Sequence, residues 1–148
     1  MKIIEIITSI IFLIGIIFKI FNWPGNHVFV VTSLTILSYY YFLFGFAIFN
    51  NIKTKNIFKN TSYKNISPLH IIFSVLLGMS LSVLVNGIMF YIQNWSPEND
   101  LFFIGQSSVF IILILYLIFF KKQIQNFKSI FLRSLIIIVL GIIIYSTL

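Results

Sequence analysis

Five stretches of this chain, Ile3 to Phe21, His27 to Phe49, Pro68 to Ile92, Leu101 to Phe120 and Ile130 to Leu148, hold almost no charge and are each long enough to cross a bilayer. A crossing helix needs about 20 apolar residues to cover about 30 Å of hydrocarbon, and a helix satisfies all of its backbone hydrogen bonds where there is no water. That one feature predicts an all-α integral membrane protein, a single transmembrane domain (1–148) of about five helices. Composition agrees, since the 148 residues are 59% hydrophobic and only 9% charged, against about 25% charged in soluble domains. A soluble core has no way to hide so much apolar surface. The apolar start after Lys2 is read as a retained first helix, because no small-x-small cleavage site follows it and Lys19 interrupts it.

Charge sets the expected orientation. With five spans, nine of the ten basic residues, Lys2, Lys53, Lys55, Lys59, Lys64, Lys121, Lys122, Lys128 and Arg133, fall on one side, while Glu98 and Asp100 fall on the other. The positive-inside rule then makes the N-terminus, the basic loop 53–67 and the basic loop 121–129 cytoplasmic, and the C-terminus periplasmic. A four-span chain would return the C-terminus to the cytoplasmic side. Heavy use of Ile, Phe, Asn and Lys points to a bacterium with an AT-rich genome, hence to a multi-pass protein of the bacterial inner membrane. The net charge of +7 is topological in this reading and predicts membrane lipids, not nucleic acid, as the surroundings of the basic residues.

The linkers carry turn chemistry. Trp23-Pro24-Gly25-Asn26 suits a tight turn, with Pro pre-setting φ and Gly accepting a positive one. Ser67-Pro68 and Ser96-Pro97 each read as an N-cap followed by Pro at the first helical position, which puts Glu98 and Asp100 in the first turn of the fourth helix. Trp23 and Trp95, the two tryptophans of the chain, sit at span ends as interface anchors do.

They also mark an internal repeat. Gly15-Ile16-Ile17-Phe18-Lys19-Ile20-Phe21-Asn22-Trp23 recurs at an offset of 72 as Gly87-Ile88-Met89-Phe90-Tyr91-Ile92-Gln93-Asn94-Trp95, identical at six of nine positions. Two spans separate the copies, so both cross in the same direction, as in parallel repeats. The expectation is a first hairpin over 1–52, a second over 68–120 and a fifth helix over 130–148. Gly141-Ile142-Ile143-Ile144-Tyr145 is a partial third echo.

The stretch Gly15-x-x-Phe18-Lys19-Ile20-x-Asn22-Trp23-Pro24-Gly25 resembles the G-x-x-F-K-I-x-H-W-P-G motif of the first membrane hairpin of GldL, the inner-membrane motor protein of gliding motility and type IX secretion in Bacteroidota. It is also similar to small membrane proteins of that phylum with the same motif. The resemblance covers 11 residues strictly and about the first 50 by hairpin layout. It implies a GldL-like membrane hairpin, in which the lysine corresponding to Lys19 works with a carboxylate of the second helix. The second stretch here contains neither Asp nor Glu, so the hairpin is implied without the motor carboxylate.

Candidate residues follow from where polarity enters the spans. Lys19 lies within the first stretch and is a functional candidate by default, as a snorkelling anchor, an ion or proton group, or a contact to a partner helix. Glu5 is expected at the opposite boundary, one turn from Lys2, and Arg133 is expected to snorkel to the nearby interface. Ser74, Gly78, Ser82 and Asn86 form a small and polar stripe in the third stretch, suited to close helix packing; Asn86 is deep enough to need a partner and is the second candidate for a polar path. Gly15, Gly87 and Gly141 are expected to mark further close contacts. His27 and His70 open helices on opposite sides and are read as capping or interface residues. The four lysines of 53–64 either set topology against anionic headgroups or dock an acidic partner. No cysteine, phosphate loop or nucleophile elbow occurs. The sequence thus predicts no catalytic residue, cofactor or metal site, and a non-enzymatic structural or interaction subunit that assembles with itself or other membrane proteins; the alternative is ion- or proton-coupled transport, or a motor-associated component, using Lys19.

Overall fold

The computed structural model describes residues 2–50, 52, 54–64, 66–119 and 124–147, and among them the regular elements are all helical. They are α1 (Lys2–Ile20), α2 (Asn26–Phe49), α3 (Pro68–Gln93), α4 (Glu98–Phe119) and α5 (Ile124–Thr147), with short 3-10 turns at Thr54–Asn56 and Asn60–Tyr63. Each of the five helices contains a window long and apolar enough to cross a membrane. The protein is therefore a polytopic membrane protein of five helices. Lys53, Lys121, Lys122 and Leu148 lie outside the described residues, as do the side chains of Lys2 and Lys128.

Two boundaries differ from the sequence reading. The fifth helix begins at Ile124, although its apolar window starts at Ile130 as expected. Residues 124–129, expected in the basic loop, extend that helix, because helical geometry does not require hydrocarbon around it. The fourth helix begins at Glu98, and the carbonyl of Pro97 accepts the Leu101 N–H at 3.2 Å. Pro97 thus takes the capping position expected of Ser96. Ser67 does precede Pro68 at the start of α3, but only its carbonyl bonds into the helix, to Ile71 N–H at 3.2 Å.

Helix α3 is the axis. It packs against α2 on one side and α4 on the other, with α1 outside α2 and α5 lying across α3. In consequence 56% of its crossing window is buried, against 11% for α1. Arg133, near the start of α5, meets Glu5 near the start of α1, whereas Tyr145, near the end of α5, stacks on Phe102 at the start of α4. The starts of α1, α3 and α5 therefore share one face, called here the N-terminal face, and the turns at 21–25 and 94–97 share the opposite face.

Polarity is arranged as a lipid solvent demands. Ile3, Ile6, Ile7, Ile10, Leu13 and Ile17 of α1 are exposed, as are Ile111, Ile114 and Ile118 of α4, while Ser33, Ser38, His70, Ser74, Ser82 and Ser134 are buried. Water would penalise that outer surface by about 25 cal/mol per Å², and hydrocarbon does not. Apolar driving force between helices is correspondingly weak in the bilayer, so backbones must approach closely to gain dispersion contacts. Glycines provide the approach. A Cβ on Gly45 would lie 2.7 Å from Gly78 Cα, one on Gly78 would lie 2.7 Å from Tyr41 O, and one on Gly105 would lie 2.5 Å from Leu84 Cα.

Gly105→Ala is therefore expected to destabilise the fold by about 1–3 kcal/mol, the usual range for overpacking against atoms that cannot move aside. Gly141→Ala should lose much less, since its nearest neighbour would be the Phe102 ring at 3.1 Å. Thermal unfolding of the two variants side by side in the same detergent checks the order.

Candidate functional site

Four groups of polar side chains lie inside or at the ends of the spans. On the N-terminal face, Arg133 Nη1 reaches Glu5 Oε1 at 3.0 Å, and the Tyr41 hydroxyl donates to the same oxygen at 3.0 Å. The pair ties α1 to α5 across residues 128 apart in sequence. Arg133, expected to snorkel alone, has a carboxylate partner inside the protein. A charge at this depth costs less when an opposite charge and a hydroxyl replace its water.

The second group runs down the α2–α3 seam. Asn86 Nδ2 donates to Ser38 Oγ at 2.9 Å, and Ser38 Oγ lies 2.7 Å from Ser82 Oγ. Nearer the N-terminal face, Asn50 Nδ2 donates to Ser74 Oγ at 3.1 Å, and Ser74 Oγ donates to His70 O at 2.8 Å. Ser74, Gly78, Ser82 and Asn86 thus all face α2, with Gly78 seated against Gly45. The α2 half of this seam, Ser38, Gly45 and Asn50, escaped the sequence reading, which searched α2 for carboxylates. Its signal was the seven-residue spacing of Ser38 and Gly45, two helical turns on one face.

The third group closes the opposite face. Lys19 Nζ donates to the carbonyl oxygen of Ile92, and His27 Nδ1 bonds Gln93 Oε1. Ile92 is in the last turn of α3, where carbonyls lack intrahelical partners and the helix dipole favours a cation. Lys19 accordingly holds the end of α1 to the end of α3. The fourth group is internal: the hydroxyl of Tyr116 in α4 lies 2.8 Å from Nδ1 of His70, and both residues are buried.

The repeated stretches have matching local geometry. Asn22 and Asn94 are both left-handed, with φ of 53° and 55°. Trp23 N–H bonds Phe18 O at 2.8 Å and Trp95 N–H bonds Phe90 O at 3.0 Å; Asn22 N–H bonds Lys19 O and Asn94 N–H bonds Tyr91 O, both at 3.1 Å. This is the Schellman ending of a helix, completed by an apolar contact between the residue beyond the turn and the last full turn. That contact is an edge-on ring pair in both copies, Phe18–Trp23 at 5.1 Å and Phe90–Trp95 at 5.6 Å. Gly15 meets Phe29 and Val30 as Gly87 meets Leu101 and Phe102, again 72 residues on. Gly25 provides the positive φ, 88°, that the turn after Pro24 requires.

Lys19 and Asn86, the two candidates for a polar path, lie in different groups with different partners. Gly15, Gly87 and Gly141 sit at helix contacts, and Trp23 and Trp95 are half-exposed at the ends of α1 and α3. No protein family model, curated protein or solved structure matches this chain.

A double-mutant cycle tests the seam. Ser38→Ala and Asn86→Leu should each destabilise, and together they should cost less than their sum by about 0.6–1.7 kcal/mol, the range for hydrogen bonds between membrane helices. Equilibrium unfolding in micelles or bicelles measures the coupling.

Proposed function

We propose that this protein is a non-enzymatic structural or interaction subunit of a membrane assembly. The observation that carries the reading is the bond from Lys19 to the Ile92 carbonyl. The one basic residue of the opposite-face half of the first span is held by a neighbouring helix end, which suits an anchor better than a carrier of protons. Asn86, the other candidate, is held by Ser38. With short segments between the helices, the surface left for partners is chiefly the outer apolar face of α1 and α4. Other membrane proteins or a second copy of the chain would pack there, alongside lipid.

In this reading the N-terminal face is cytoplasmic, with Lys55, Lys59 and Lys64 exposed on it, and the membrane is the inner membrane of a bacterium. The positive-inside rule supports the orientation. The GldL-like stretch from Gly15 to Gly25 supports a place beside gliding-motility or type IX secretion machinery, and that part rests on sequence resemblance alone. Transport or motor-associated coupling through Lys19 is the competing reading.

Two measurements separate them. Crosslinking in native membranes followed by pull-down and mass determination is expected to return a stoichiometric partner or a homo-oligomer; a solitary chain would favour the transporter. Lys19→Met should lower the melting temperature, by about 0.3–1 kcal/mol of stability for a partly exposed cation at a helix terminus, and Lys19→Arg should retain most of it. A Lys19→Met protein of unchanged stability that has lost a proton or ion flux would overturn the subunit reading.

A further inference from the structure

The Glu5–Arg133 pair stands at one end of a cleft of about 390 Å³ lined by α1, α2, α3 and α5. Beyond the charged pair its walls are almost wholly apolar, formed by Phe12, Leu34, Val85, Ile88, Ile137 and Ile144. The volume falls within the range of about 300–1,000 Å³ typical of ligand pockets. Arg133 and Ile144 line it three turns of α5 apart, about 16 Å at 1.5 Å per residue, which is about half of the 30 Å hydrocarbon core. The cleft thus begins near the N-terminal face and runs along α5 to Ile144, next to the Tyr145 that stacks on Phe102 toward the opposite face.

It is also open sideways. A shallower groove lined by Glu5, Ile6, Ser9, Ile10, Leu13 and Arg133 continues from it around α1. Ile6, Ile10 and Leu13 are exposed on the outer surface of α1, so the groove faces the bilayer. The mouth carries polar groups with capacity to spare. Arg133 Nη1 and the Tyr41 hydroxyl both use Glu5 Oε1, which leaves Glu5 Oε2 and the remaining guanidinium donors. The Ser9 hydroxyl, which lines both spaces, makes no hydrogen bond among the described residues.

We infer that this cleft binds one bilayer phospholipid of the N-terminal leaflet, with an acyl chain between α1 and α5 and a zwitterionic headgroup at Glu5 and Arg133. The length of the cleft, about half of the 30 Å hydrocarbon core, matches the reach of one acyl chain. The charges at the mouth sum to zero, with a guanidinium fitted to a phosphate and a carboxylate fitted to an ammonium. An anionic headgroup without the ammonium would satisfy Arg133 and confront Glu5. The inference does not depend on the subunit reading, because a lipid seated here would serve any function of the bundle.

The test is native mass spectrometry of the full chain released from nanodiscs of equimolar phosphatidylethanolamine and phosphatidylglycerol with identical acyl chains. The wild type is expected to retain one lipid per chain and to favour phosphatidylethanolamine by about tenfold, a 1.4 kcal/mol preference. Leu13→Trp and Leu140→Trp, two exposed lining positions, fill the cleft from different helices and should remove the retained lipid while leaving the melting temperature in lipid-free detergent near wild type. Two variants guard against one failing to fold. Glu5→Gln with Arg133→Gln should still retain a lipid but lose the headgroup preference. Absence of a retained lipid in the wild type, equal retention by both tryptophan variants, or a second copy of the chain in place of the lipid would each overturn the assignment.

Discussion

The close approach of α3 to its two neighbours is the constraint on which the rest of the bundle depends. In water, burying apolar side chains would drive the helices together; in hydrocarbon that drive is nearly absent, and association must come from dispersion and hydrogen bonds. Both fall off quickly with distance, so the backbones must come near. Gly45 against Gly78 achieves this on the α2 side, and Gly87 against Phe102 with Gly105 against Leu84 achieves it on the α4 side. Once α2 and α3 are that close, the short side chains Ser38 and Ser82 reach each other at 2.7 Å. Longer residues at those glycines would separate the helices and leave the serines and Asn86 facing hydrocarbon unpaired, at the cost of a buried unsatisfied polar group.

The length and spacing of the spans were legible in the sequence because apolar length is a one-dimensional signal. So was the α3 stripe, since four small or polar residues at four-residue spacing point to one face whatever that face meets. What they meet was not legible. Gly45 and Ser38 lie in a helix that also carries Thr32, Ser33, Thr35 and Ala47, with Asn50 just past its end, and small residues there carry no label for the partner helix. The Glu5–Arg133 pair was hidden for a different reason. Its members are 128 residues apart, and only the return of α5 to the starting face sets them at one depth. The bond from Lys19 to the Ile92 carbonyl could not be read at all, because a backbone acceptor is the same at every position.

The repeat gains a physical meaning from the turn geometry. A helix that stops in a left-handed residue needs glycine or asparagine there, and the residue beyond it needs an apolar partner one turn back. Asn-Trp preceded by Phe meets both demands, with the tryptophan also placed at the interface where its ring and N–H find different solvents. The glycine three residues before that phenylalanine admits the returning helix, at Val30 in one copy and Phe102 in the other. Gly, Phe, Asn and Trp therefore act together as one device for ending a span and starting its antiparallel neighbour at close range. Identity between the copies is concentrated at the positions this device uses.

The positions where the copies differ follow the same logic. Lys19 and Tyr91 are equivalent by register and chemically unlike, yet each donates a hydrogen bond to a backbone carbonyl in the last turn of another helix. Lys19 reaches Ile92 of α3, and the Tyr91 hydroxyl reaches the Tyr145 carbonyl of α5 at 3.2 Å. In each case the recipient is the helix two places further along the chain, which ends on the same face. A donor is the shared requirement and a charge is not. The phenol suffices at Tyr91 because its ring also packs, tilted, against the Tyr145 ring at 4.9 Å, adding contact area that a lysine stem would not provide. The outer ends of α1, α3 and α5 are thereby linked in series through helix-end carbonyls. On the other face the ion pair between Glu5 and Arg133 joins the first and last of them, so α1 and α5 are tied directly at the N-terminal face and through α3 at the opposite one.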